Sequence, residues 1–145
     1  MLPLTPALLI AGATTSQQKG ADATGLRFLN HVGPRSHYDH AARCTSWPLP
    51  RVTSCDVLAD FAQVNGVLVH EPMEGDIFLV YSRGERRFVS AGVIASIDFT
   101  FECLGQAVYL CTTIEGSETR GRRFSTAGGD RFVRWVDLEW RRHAA

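Results

Sequence analysis

The pattern of apolar and polar positions changes period near residue 66. Before it, Val57, Leu58, Phe61 and Val64 recur at helical spacing, which predicts a helix over 52–64. Thr53 or Ser54 supplies its N-cap, and Asn65-Gly66 its left-handed stop. Beyond Gly66 the apolar residues come in short runs typical of strands: 67–69, 77–81, 88–97, 107–114 and 131–138. Gly75-Asp76 marks a turn before the second run. Gly84-Glu85-Arg86-Arg87 forms a hairpin loop in which Gly84 can take positive φ, and Leu104-Gly105 marks another turn. Gly92 interrupts the return strand and predicts a bulge or a close backbone approach. Phe132 or Val133, with Trp135, are inward candidates of the closing strand, and 117–130 reads as a long loop or ragged hairpin. Helices followed by an antiparallel meander define an α+β domain.

The earlier chain is less regular. Residues 1–23 read as a leader or loosely packed tail, because small and polar residues follow a short apolar start; the domain proper spans 24–145. The start loosely resembles a secretory h-region, but no Lys or Arg precedes it and Pro3 and Pro6 break it. Residues 26–32 fit helix or strand equally. Ser36–Cys44 predicts a helix with Ser36 as N-cap and Asp39 in its first turn. Trp47-Pro48-Leu49-Pro50 then forces an extended crossing.

Composition narrows the classes further. With 145 residues the chain can bury about two-thirds of its unfolded surface as one domain. Fifteen basic residues balance fifteen acidic ones, so no global field favours nucleic acid or membrane, and a monomer without a cofactor is expected. No stretch is long enough to span a bilayer.

Several residue groups carry candidate chemistry. His37, His40 and Cys44 could share a helical face and offer zinc three ligands, but no distant pair completes the set, and an ordinary helix face is the simpler reading. Cys55 begins a predicted helix, where free backbone N–H groups favour a thiolate; a buried, inert thiol is the competing reading. Cys103 and Cys111 sit in apolar, strand-like surroundings and are expected in the core. Glu115 ends a strand before Gly116-Ser117 and could orient an imidazole, or simply be a solvated strand end.

A set of landmarks bears on Glu115. Trp47-Pro48-Leu49-Pro50-Arg51 leads into the helix, Pro72-Met73-Glu74-Gly75-Asp76 precedes the first core strand, and Phe88-Val89-Ser90-Ala91-Gly92-Val93-Ile94 follows. Thr113-Ile114-Glu115-Gly116-Ser117 and Arg131-Phe132-Val133-Arg134-Trp135 complete the set. In order and spacing, residues 47–138 resemble a CHAP-type cell-wall hydrolase, a papain-like cysteine amidase or endopeptidase acting on peptidoglycan. The resemblance implies N-terminal helices on an antiparallel sheet or half-barrel, a bacterial or phage cell-envelope setting, and stem peptides as partner.

It also implies a triad of helix-start Cys, strand His and a Glu or Asn that fixes the ring. The positions of this chain depart from that pattern. Ser90 stands in the His slot, Ser117 in the Asn slot and Ser36 in the Cys slot, while Glu115 alone matches. Loss of a general base costs about 10²–10⁴-fold. The expectation is therefore an impaired hydrolase that binds peptides in a groove bounded by Ser36, Ser90 and Glu115. The alternatives are a live thiol hydrolase using Cys44 or Cys55, and a plain interaction domain.

Overall fold

The computed structural model describes residues 4–15, 25–41, 47–116 and 118–144. The fold is α+β: the described residues form four helices and one six-stranded antiparallel sheet in the order β1-β6-β2-β3-β4-β5. The helices are α1 (Pro6–Thr15), α2 (Leu26–Ala41), α3 (Cys55–Val64) and α4 (Trp135–His143). The strands are β1 (Leu68–Val69), β2 (Ile77–Ser82), β3 (Arg87–Cys103), β4 (Gln106–Ile114), β5 (Thr119–Ser125) and β6 (Arg131–Val133).

Local chemistry explains α3. Ser54 holds extended backbone angles and its hydroxyl accepts from the Asp56 amide at 3.2 Å, while Gly66 (φ +70°) turns the chain away after Asn65. The buried face follows the periodicity only in part, with Leu58 buried and Phe61 packed against the core. Cys55, Leu58, Ala59 and Ala62 face inward, whereas Val57 and Val64 are exposed. Small alanines let the helix lie close to the sheet, and the two valines are left outside.

Three expectations change. Residues 4–15, inside the stretch read as a leader, are a packed segment: Leu4, Leu9 and Ala13 are buried, and the Leu4 amide donates to the buried Glu139 carboxylate. The run at 131–138 divides. Phe132 and Val133 end a three-residue strand, and Trp135 opens α4 with its indole N–H donating to the Gly75 carbonyl at 2.7 Å. The 117–130 loop contains β5, paired to β4 over seven positions. Two smaller corrections concern turns. Arg86, not Gly84, takes positive φ in the β2–β3 turn, and Cys103 is exposed at the end of β3.

Two apolar cores lie on opposite faces of the sheet. One gathers all four helices with Ile77, Leu79, Ala91, Val93 and Ile114. The other is made by strands alone: Phe78, Ile94, Tyr109, Cys111, Phe124 and Phe132, with the rings of Phe78, Phe124 and Phe132 in tilted and edge contacts at 5.1 and 5.4 Å. The long β3 slips register at three places: once against β2, leaving Val89 unmatched, and twice against β4, leaving Ala95 and Asp98 unmatched. Such bulges bend and twist a strand, which lets the sheet curl around the second core.

Candidate functional site

Glu115, the landmark carboxylate, and Gly92, the interruption of the return strand, belong to one stack of groups. A Cβ on Gly92 would stand 2.5 Å from the Phe78 ring, so the glycine lets that ring lie across β3. Above the ring sits the Arg122 guanidinium, 5.4 Å from the ring centroid. Arg122 in turn grips Glu115 with two bonds, Nε to Oε2 at 2.8 Å and NH2 to Oε1 at 2.7 Å. Thr113, fully buried, donates its hydroxyl to the same carboxylate at 2.8 Å, and Arg120 stands 3.8 Å away. Burial alone would raise the Glu115 pKa, but hydrogen bonds from Arg122 and Thr113, and the nearby arginine charges, outweigh it and hold the acid below its usual range. The carboxylate is thus engaged as an ion-pair partner.

Ser90 lies on the same sheet face. It pairs with Val80 as Gly92 pairs with Phe78, and cross-strand partners share a face. Its pairing is toward β2, whereas Glu115 is bound toward β5. Among the described residues no helix packs on this core: those that α1, α2, α3 and α4 bury belong to the other one. Ser36 falls within α2, ten residues after its first residue Leu26, rather than at a helix start. Its side chain, Ser117, Cys44, and the side chains of His37 and His40 lie outside the described residues.

Cys55 opens α3 as expected, but its thiol is buried in the helix-covered core. The neighbouring Asp56 carboxylate accepts from the Phe88 amide at 2.8 Å and pins the helix start to β3. Cys111 is buried, and its thiol is pushed up to about 11 by burial with a contribution from the Asp98 charge, which suits a packing residue. Among the described residues no group of His, Cys, Asp and Glu is arranged to hold a metal ion, and no helix is long and apolar enough to cross a membrane.

A groove that the sequence reading missed opens on the helix side of the sheet. It encloses about 440 Å³ and is lined by Gln63 of α3, Leu68 of β1, His70, Tyr81 of β2, Phe88 of β3 and Arg131 of β6. The bulge at Val89 helps to make it. By simple alternation Phe88 would share the face of Ser90; the extra residue turns it to pack with the helix-side core and against Tyr81, ring centroids 5.3 Å apart. Gly129 (φ +103°) closes one wall over Tyr81, where a Cβ would stand 2.6 Å from the ring. Comparison with family models, with curated proteins and with solved structures yields no match.

Proposed function

We propose that this chain is a papain-like domain of the CHAP type whose catalytic positions have been replaced, and that it binds peptidoglycan stem peptides without cleaving them. The observation that carries this reading is the way the landmarks converge. Arg134 donates to Asp76 at 3.0 Å and Trp135 to the Gly75 carbonyl, joining the closing segment to the glycine-aspartate turn. Phe78 then faces Gly92, and Val93 faces Ile114, joining two further landmarks on adjacent strands. Loss of hydrolysis follows from chemistry: a hydroxyl at position 90 is no base near neutral pH, and the Glu115 carboxylate is held by Arg122.

Incubation with purified peptidoglycan tests this reading. The protein is expected to co-sediment with the polymer, release no muropeptides and react slowly with iodoacetamide while folded. Rapid alkylation of Cys55 or Cys44 together with muropeptide release would establish the live thiol hydrolase instead. Failure to sediment would favour the plain interaction domain. That second reading draws support from one observation, namely that the helices pack on the face away from Ser90 and Glu115.

A further inference from the structure

The groove beside α3 holds a half-buried arginine that, unlike Arg122 and Arg134, grips no carboxylate among the described residues. Arg122 and Arg134 each hold a carboxylate at 3.0 Å or less. Arg131 is half-buried, yet among the described residues no carboxylate lies within ion-pair distance of it. Its NH1 donates to the carbonyls of Thr126 at 2.9 Å and of Asp130 at 2.7 Å, and these bonds leave Nε and NH2 uncommitted. Asp130, the nearest acid in sequence, has turned both oxygens to backbone amides, Oδ1 to Tyr81 and Oδ2 to Ser125. The carboxylate therefore builds the wall of the groove and does not neutralise the guanidinium. A positive group in a recess without a counter-ion is a place where an anion gains more than at an open surface.

The rest of the lining fixes what that anion is attached to. Tyr81 and Phe88 present a pair of rings and Leu68 an aliphatic wall, so an apolar body has a surface to cover. His70 and the Gln63 amide add donors beside Arg131. The volume, about 440 Å³, falls in the range of small-ligand sites. We infer that this groove is a binding site for a carboxylate carried on an aromatic or bulky apolar group, with Arg131 gripping the acid and Tyr81 and Phe88 holding the body. A free aromatic acid and the C-terminal residue of a peptide share that chemistry. The inference stands apart from the cell-wall reading, since none of its residues lies on the Ser90–Glu115 face.

Backbone amide shifts of the ¹⁵N-labelled full chain provide the test. The probes are phenylacetate, N-acetyl-Gly-Phe and the uncharged phenylacetamide. Saturable shifts at residues 63, 68, 70, 81, 88, 129 and 131 are expected with the two acids. A tighter fit of the dipeptide would name a peptide terminus as the source, and a tighter fit of phenylacetate a free acid. The amide should bind about tenfold more weakly, the usual effect of losing a charged hydrogen bond. Arg131→Gln should erase that preference for acid over amide. Because Arg131 also holds the Thr126 carbonyl, Gln63→Trp serves as a second variant: it fills the groove from an exposed helix position and should abolish the shifts for both acids. Shifts that never saturate, that map elsewhere, or that are as strong with the amide would overturn the assignment.

Discussion

The two faces of the sheet treat their polar groups in opposite ways. On the strand-only face, Glu115, Arg122, Thr113 and the Phe78 ring satisfy one another. In the groove on the helix side, Arg131, His70 and Gln63 stand around open volume with rings behind them. The first arrangement pairs polar groups with one another; the second leaves them facing open volume. A sequence reading that ranks residues by chemical type cannot separate the two, because an isolated glutamate at a strand end looks as available as an isolated arginine. Only the partners tell them apart.

The comparison is broken most severely by emptying the closed face. Phe78→Ala removes a fully buried ring from beneath Arg122 and between Gly92 and Phe124, and should cost about 3–5 kcal/mol in denaturant unfolding. A loss below about 1 kcal/mol would mean that the strand-only core is not cooperative with the rest.

A second carboxylate–arginine pair sharpens the contrast through pH. Glu115 is held below its usual range, but Asp76, almost fully buried beside Arg134, is raised to about 6 from 3.8, because burial outweighs the hydrogen bonds from Arg134 and the Met73 amide. The folded protein then binds this proton more tightly than the unfolded chain. Stability from Asp76 is complete below about pH 4 and is lost as pH rises through 6. The shift of about two pH units corresponds to a decline of up to about 3 kcal/mol across that window. Glu115 works the other way, contributing above its ordinary pKa and losing that contribution in acid. Unfolding free energies at a series of pH values should fall between pH 4 and 6 in the wild type, and Asp76→Asn should flatten this limb. A limb unchanged in the variant would remove Asp76 as its cause.

Gly92→Ala probes the same closed stack from its other side. The new methyl would meet the Phe78 ring at 2.5 Å and the Ile114 carbonyl at 3.0 Å, so overpacking should cost about 1–3 kcal/mol by thermal or denaturant melting. A neutral result would mean that the ring has room to move, and that Gly92 is not required by packing.

What could be read in the sequence follows the range of the signal. Ser54, Asn65 and Gly66 act within a few residues, and they placed α3 to within three positions. Gly92 was readable as a close approach because a glycine inside a strand has few other reasons to be there. Trp135 was misplaced because Arg131–Leu138 fits a strand pattern locally, and the tertiary bond to Gly75 decides for a helix start. Leu4, Leu9 and Ala13 are too sparse to announce a helix without the surface they cover. Glu115 and Arg122 are seven residues apart across the β4–β5 hairpin, so their pairing was open to reading once β5 was recognised; the run Thr119–Ser125, rich in arginine and polar residues, hid it as a loop. The groove had no local signal at all, since Gln63, His70, Tyr81 and Arg131 come from segments spread over nearly seventy residues.

The smallest expected effect on stability belongs to the open groove, and it carries the comparison furthest. His70 is exposed and follows β1 directly, and among the described residues it makes no hydrogen bond or ion pair. His70→Ala should therefore change unfolding free energy by no more than about 0.5 kcal/mol, the ordinary range of surface substitutions. If the histidine is part of a binding surface, the same variant should weaken phenylacetate in the amide-shift titration while leaving the folded spectrum otherwise unchanged. A side chain kept for the fold shows the reverse pattern, with stability lost and ligand affinity lost only in proportion. Measuring both quantities on one variant thus asks whether the groove's polar residues serve the fold, as Glu115 and Arg122 do, or something that enters it.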